Sequence, residues 1–369
     1  MDYDNMLSGM ERIESENEEL TRRVGQLEDA VRDINGVFGE LVGILEKNMA
    51  TVESYGKDIQ ALKSVADRLQ IYTCQLEVMG RNTRYEVCDM AGCGPFFRPH
   101  FRSNEETLRM IIDDGMSLAR FGDGEFSIAG NVPRQKFQRP DDKLAQRIRQ
   151  VLSEKNDRLI VAIADNYGSL EKYNQAGADG IRLYMTEETR ALHESLLDRD
   201  RVYSDAYITR PYVMYRDNMT DAPRRRFEGL KRIWAGRRVV IVEGALTRLG
   251  VGNDLFAGAE SIRRILAPAT SSFDRYDDIL AAALREAETT DIYLLAIGPS
   301  AGVLAYDLSN NGCQAVDVGH IDLEYEWFLA GKGERVPVPN KYNNEYQGGN
   351  VVQDIHDPVY ESEIIYNFS

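Results

Sequence analysis

Along the first eighty residues the apolar positions fall alternately three and four apart. With Met6 as position a, the series runs Met6, Met10, Ile13, Asn17, Leu20, Val24, Leu27, Val31, Ile34, Phe38, Leu41 and Leu45. It continues less regularly through Val52, Ile59, Leu62, Ala66, Leu69 and Leu76. That alternation keeps one stripe of a helix facing a partner helix, so it predicts a coiled-coil seam. Asn17 and Asn48 fall on the seam, where a polar residue costs stability but fixes register and strand number. Gly25, Gly36, Gly39, Gly43 and Gly56 each weaken a helix by roughly 1 kcal/mol relative to Ala. Asn35-Gly36 to Gly43 is therefore a candidate break, and one long rod or a folded-back hairpin both suit the pattern. Residues 1–82 are expected to form a coiled coil that makes a homo-oligomer; partner docking and simple spacing are the alternatives.

The pattern then changes. Residues 83–102, with Gly92, Gly94, Pro95 and Pro99, predict a linker. Beyond Ser103, short β-rich runs alternate with amphipathic helices. Strands are expected at Ser117–Arg120, Arg158–Ala164, Arg237–Val242, Asp291–Ile297 and Ala315–Val318, and helices at Asn104–Asp113, Asp141–Leu152, Glu187–Leu197, Asp254–Leu266 and Tyr276–Ala287. Strands that read as continuous apolar runs are buried on both faces, which predicts an α/β fold with a Rossmann-like, mostly parallel sheet. Ligands of such sheets bind at the carboxyl ends of the strands. Residues 346–369 are polar until Ile364-Ile365-Tyr366, so this tail is expected to dock back onto a domain spanning 103–345.

Composition removes several classes of function. A net charge of -16 is the wrong sign for nucleic acid or an anionic membrane, both of which need clustered Lys and Arg. No twenty-residue apolar run exists, so neither a signal peptide nor a membrane span is expected. Cys74, Cys88, Cys93 and Cys313 are too few and too scattered for a disulfide framework, which predicts reduced thiols and a cytoplasmic protein.

Candidate chemistry gathers after the predicted strands. Arg120-Phe121-Gly122-Asp123-Gly124-Glu125 leaves the first strand through a glycine turn. In an extended segment Asp123 and Glu125 share one side, a pair of hard oxygen donors suited to Mg²⁺ or Mn²⁺; the alternative is a plain acidic turn. Gly298-Pro299-Ser300-Ala301-Gly302 joins the best strand to an apolar helix, so its N–H groups suit phosphate oxygens, and Ser300 either adds a donor or caps the helix. Glu243-Gly244 ends another strand, followed by Arg248, Gly250, Gly252, Asn253 and Asp254: a planar fork for phosphate and a backbone that permits close approach, or a helix cap at Asp254. His320 follows the last strand as a metal or phosphate partner or a histidine bound to backbone, with Asp322 and Glu326 on one face of the next helix. Asp205, Tyr207, Arg210 and Tyr212 form a weaker group in which tyrosines stack on a base and Arg210 pairs with phosphate, or all of them serve the core.

Taken in order, Arg120 to Glu125, Phe137-Gln138, Thr209-Arg210-Pro211, Gly250 to Phe256, Gly298-Pro299-Ser300 and Val318-Gly319-His320 through Trp327 resemble the GT-D-type glycosyltransferases over about residues 103–345. The resemblance implies a GT-D-like fold, a nucleotide-diphosphate sugar donor that is often UDP-linked, and a divalent metal, Mn²⁺ or Mg²⁺, on Asp123 and Glu125. It implies glycosylation of a protein or glycan acceptor in an intracellular bacterial setting, with Ser300 where Thr or Ser is expected. The coiled coil lies outside the family's pattern. On this reading the metal, shared with His320, neutralises the departing diphosphate, the N–H groups at Gly298 to Gly302 and Arg248 assist, and Glu243, Glu324 or Asp205 is the base. The rival expectations are a metal-dependent nucleotide hydrolase or phosphotransferase, and a coiled-coil scaffold carrying a nucleotide-binding domain.

Overall fold

The structure, a computed structural model, describes residues 3–132, 139–343, 345, 349, 351–354 and 356–369. It divides into two units, Met1–Gln75 and Leu76–Ser369. Helix α1 (Tyr3–Ala91) supplies all the described structure of the first unit and continues into the second. It runs unbroken through Asn35 to Gly43, so the hairpin alternative falls. Each glycine there weakens the helix yet still makes its helical hydrogen bonds, so a long helix tolerates it. The predicted seam is a solvated stripe in this single chain, with Leu27 66% and Phe38 67% exposed.

The expected linker at 83–102 is corrected by the structure, because the helix persists to Ala91 before Gly92 (φ +65°) turns the chain. The second unit then runs β1 (His100–Phe101), α2 (Asn104–Ile112), β2 (Ser117–Phe121), α3 (Asp123–Ala129), α4 (Asp142–Ser153), β3 (Leu159–Ile163), α5 (Gln175–Tyr184), α6 (Glu187–Leu196) and β4 (Val202–Asp205). It continues with α7 (Ala222–Lys231), β5 (Arg238–Gly244), β6 (Ser261–Ala267), α8 (Tyr276–Arg285), β7 (Ile292–Ala296), α9 (Ser300–Asn310), β8 (Ala315–Asp317), α10 (Ile321–Ala330), α11 (Pro358–Glu363) and β9 (Ile364–Asn367). The expected helix Asp254–Leu266 is instead a turn followed by β6. Ile262, Ile265 and Leu266 are spaced as on a helix, and Arg263-Arg264 in the middle disguises a strand.

Among the described residues nine strands form one parallel sheet in the order β1-β4-β3-β2-β8-β7-β5-β6-β9. Side chains alternate across it. Phe121, Ile163, Val242 and Leu295 face one apolar layer with α4, α8 and α9, while Leu118, Ile160, Ile241 and Leu294 face another with α7 and α10. The tail closes the far edge, where β9 pairs with β6. After β2 the chain moves outward to β3, whereas after β8 it leaves toward the opposite edge, so the topological switch point lies between β2 and β8. A ligand crevice is expected outside the carboxyl ends of those two strands.

Candidate active site

At the carboxyl ends of the two strands at the switch point, Arg120 ties one to the other. Arg120 Nε donates to the Asp317 carbonyl at 2.9 Å, one terminal nitrogen to Asp317 Oδ1 at 2.8 Å, and the other to the Ala206 carbonyl at 3.2 Å. Gly319, at φ +48°, makes room for it: a Cβ there would stand 1.8 Å from the guanidinium. Arg120, expected at the donor, is a staple beneath the rim that fixes β8 and the turn after β4 to β2. Burial pushes the Asp317 carboxyl up, and Arg120 opposes the shift.

Asp123 and Glu125 do not lie in an extended segment. Gly122 is extended, but both carboxylates belong to the first turn of α3, where acidic residues suit the helix dipole. Glu125 folds back so that Oε2 accepts the Gly122 N–H at 2.7 Å. Asp123 is exposed at the crevice. The two remain electrostatic neighbours: burial raises the pKa of Glu125, and the charges of Asp123 and Asp317 raise it further. Phe137-Gln138 lie outside the described residues.

Next along the rim stand the ends of β3 and β4. Asp205 Oδ1 accepts the N–H groups of Tyr207 at 2.9 Å and Asp165 at 3.2 Å, and Lys172 Nζ sits 2.5 Å from Asp165 and 3.5 Å from Asp205. Burial lifts the Asp205 carboxyl to about 6 despite that lysine. Tyr207 donates to Asn166 Oδ1 at 2.9 Å and feels the charge of Asp123, which ties this group to the β2 turn. Sequence reasoning missed Asp165, Asn166 and Lys172. Asp165-Asn166 follow an apolar strand, the same signal used elsewhere.

On the β8 side His320 Nδ1 and Glu345 Oε1 are 2.7 Å apart, and Arg210 pairs with the same carboxylate. Burial pushes Glu345 up, but Arg210 and His320 overcome it and hold the carboxyl well below its usual range. The neighbouring Thr209 hydroxyl is buried without a hydrogen-bond partner among the described residues. A buried polar atom of that kind calls for a water or ligand.

The α9 terminus divides. Gly298 (φ +59°) is exposed at the end of β7 and Pro299 half-buried, whereas Ser300 and Ala301 are buried, with the Ser300 hydroxyl held by Ser272 at 3.0 Å. Other expected ligands are occupied inside the fold. Arg248 donates to the carbonyls of Asn340 and Gln353 at 2.7 and 2.8 Å. Asp322 Oδ1 accepts from Gly250 N–H and Asn253 Nδ2 at 2.9 and 2.8 Å, and Lys341 bridges Asp322 and Glu326. Asp322 and Glu326 thus share a face, as expected, and the glycine loop with Gly252 is locked to it. Glu243 is fully buried against Arg264 at 2.6 Å and the Leu249 N–H. Glu324 is buried and accepts the N–H groups of Tyr212 and Val213. Neither carboxylate faces the crevice as a free base. Asp254 caps no helix; it binds Lys231 and Tyr325.

The structure therefore gathers Arg120, Gly122, Asp123, Glu125, Asp205, Arg210, Gly298 and His320 around the switch point, and sets Glu243, Arg248, Gly250, Gly252 and Asn253 in packing networks. Among the described residues no three His, Cys, Asp or Glu side chains form a protein-only metal cage. The donor set fits a more open demand: Mg²⁺ on a nucleotide commonly takes one or two carboxylates and leaves its other positions to phosphate and water. No helix among the described residues is long and apolar enough to cross a membrane.

A family profile described as glycosyltransferase GT-D fold matches residues 118–346. A probable glycosyl transferase Gly from Streptococcus gordonii is 34% identical over 270 residues, 72% of this chain and 38% of that protein. Glycosyltransferase GlyD from Streptococcus pneumoniae is 35% identical over 264 residues, 71% of this chain and 31% of that protein. The chain thus spans about a third of the length of these relatives. A solved structure described as a new glycosyltransferase (DUF1792) from Streptococcus sanguinis superposes with a TM-score of 0.69 at 32% identity, covering 74% of this chain and 100% of that one. Another, described as the conserved DUF1792 domain with a distinct glycosyltransferase fold, gives 0.68 at 31% identity, covering 79% and 99%.

Proposed function

The chain belongs to the GT-D-fold glycosyltransferase family, and from that premise we propose that it moves a sugar from a nucleotide-diphosphate donor, UDP-linked, to a protein or glycan hydroxyl. The observation that carries the reading is the acidic turn at the β2/β8 switch point, where Asp123 is exposed and Glu125 and Asp317 crowd behind it. Like charges gathered in a crevice call for a cation. Asp123, with Glu125 behind it, would hold Mg²⁺ or Mn²⁺, which when bound supplies Lewis-acid charge beside the diphosphate.

The rest of the work falls to this chain's own residues. Gly298, open at the end of β7, offers backbone to phosphate oxygens. Arg210, with His320 beside it, forms the corner of the rim that orients the donor. All three carboxylates expected as base are buried, but Asp205 ends β4 beside Tyr207, which feels the charge of Asp123, and a carboxyl raised to about 6 is suited to taking a hydroxyl proton near neutral pH. The hydroxyl proton passes to Asp205 while the oxygen attacks the anomeric carbon and the nucleotide diphosphate leaves.

The test is donor turnover, read as nucleoside diphosphate released from a panel of UDP-, GDP- and dTDP-sugars with Mn²⁺. Asp123→Asn is expected to lower kcat/KM by about a hundredfold, the scale of losing one charge-stabilising group. Turnover within twofold of the parent would reject this assignment of the site.

A further inference from the structure

The last turns of α1, which belong to the second unit, carry polar side chains that meet the rest of that unit at defined points. Asn82 Nδ2 donates to the Arg182 carbonyl at 2.7 Å, and the Tyr85 hydroxyl to Glu187 at 2.6 Å. Glu86 pairs with Arg182 at 2.9 Å and accepts the Leu170 N–H at 3.4 Å. Asp89, buried, pairs with buried Arg190 at 3.0 Å and accepts the Gly168 N–H on Oδ2 at 3.2 Å. Arg98 donates to the Asp89 carbonyl and packs against Gly168, where φ is +72° and a Cβ would stand 2.7 Å from its guanidinium. Two of these acidic side chains thus hold backbone amides of one segment, the loop between β3 and α5.

That loop is the one whose other end forms the crevice rim. Asp165 and Asn166 lie three and two residues before Gly168, and Lys172 lies two after Leu170. Asn166 accepts from Tyr207, Lys172 joins Asp165 to Asp205, and Tyr167 in between bonds His193 at 2.6 Å. His193 in turn stacks on Phe126 at 3.9 Å, one residue past Glu125. A rigid path of bonds thus runs from the helix to both sides of the rim.

We infer that Asp89 and Glu86 are positioning residues: through the amides of Gly168 and Leu170 they set the loop that presents Asp165, Asn166 and Lys172 to the reacting groups. The end of the long helix, which lies outside residues 118–346, is in this chain a part of the catalytic framework. The inference rests on the reading of the crevice as the donor site.

Asp89→Ala alone strands a buried guanidinium, so the test pairs it with Arg190→Met, because replacing both ions of a buried pair by apolar volume preserves stability far better than removing one. In the full-length chain, D89A/R190M and D89N/R190M differ in one respect: the Asn oxygen still accepts the Gly168 N–H. Each is measured for melting temperature, amide exchange over residues 164–173, and kcat and KM for donor turnover. The expected result is faster exchange in that loop and a kcat about tenfold lower in D89A/R190M, with KM moving less and with D89N/R190M restored, since small misplacements at a reacting centre cost that much or more. Equal kcat within twofold for both folded variants would overturn the inference while leaving the site reading intact. Undiminished turnover in Asp123→Asn would overturn the site reading, and the inference with it.

Discussion

Gly319→Ala probes the staple that holds the two central strands together at the rim. The substitution adds one carbon at φ +48°, where an L side chain costs about 1 kcal/mol. That carbon would stand 1.8 Å from an Arg120 terminal nitrogen and 2.9 Å from Cζ, so the guanidinium must leave. Leaving breaks its bonds to the Asp317 carboxylate, the Asp317 carbonyl and the Ala206 carbonyl. Asp317 is then a buried carboxylate without its counter-ion, a loss of about 3–5 kcal/mol. The sum, about 4–6 kcal/mol, is large against the total stability of a domain.

The assay is urea unfolding followed by tryptophan fluorescence. Both tryptophans, Trp234 and Trp327, are fully buried in the second unit, so the signal reports that unit and not the long helix. The steric account makes a second demand. With Arg120→Ala already present there is no guanidinium to displace, and Gly319→Ala should then cost only the backbone term of about 1 kcal/mol. A cost below about 1 kcal/mol in the parent, or an equal cost with and without Arg120, would refute the reasoning.

Two further outcomes are expected. Asp205 has its carboxyl raised from 3.8 to about 6, so the folded state holds a proton there that the unfolded state has released, and its contribution to stability falls as pH rises between about 4 and 6. Asp205→Asn removes that slope; the difference in unfolding free energy between variant and parent should shift in the variant's favour by about 2 kcal/mol from pH 4 to pH 7, and a flat difference would contradict the burial argument. A chain beginning at Leu76 should keep donor turnover within about twofold, since a factor of two corresponds to only about 0.4 kcal/mol, while one beginning at Gly92 should lose at least tenfold. Turnover assays beside sedimentation would show whether oligomeric mass falls in both, as the exposed apolar stripe of α1 leads one to expect.

The fold was legible where burial alone chose the residues. β3, β5 and β7 are apolar on both faces because helices cover both, and they stand out as continuous runs. β6 did not, since Arg264 in its middle is paid for by Glu243 and Glu363, partners far away in the chain. The persistence of α1 past residue 83 was hidden for the same reason: Gly, Pro and Arg signal a linker locally, while Arg182 on α5 and Glu187 and Arg190 on α6 hold the helix. At the site, the β2 turn was found from its glycines and carboxylates, but its geometry was not. Glu125 at the third helical position reaches back to a backbone amide, a habit of helix starts that Gly122 in place of Ser or Thr conceals. Gly250 to Asn253 has the composition of a phosphate loop; what it meets is Asp322, about seventy residues on, which no local pattern announces.

The shifts at the rim form one electrostatic pattern. Glu125, Asp205 and Asp317 are all pushed up by burial, and the first is raised further by its acidic neighbours. Each shift records stability given up to keep a carboxylate at the carboxyl ends of β2, β4 and β8. At the same rim Arg210 and His320 hold Glu345 below the usual carboxylate range. The direct pairing that holds Glu243 to Arg264 and Asp322 to Lys341 recurs at the rim, where Arg120 holds Asp317 and Arg210 holds Glu345. What distinguishes the rim is carboxylates raised by burial beside the exposed Asp123 at the switch point, the kind of perturbation that gathers at functional sites. On the proposed reading, Asp123 with Glu125 would hold the cation there, and Arg210 would meet the phosphates of the donor.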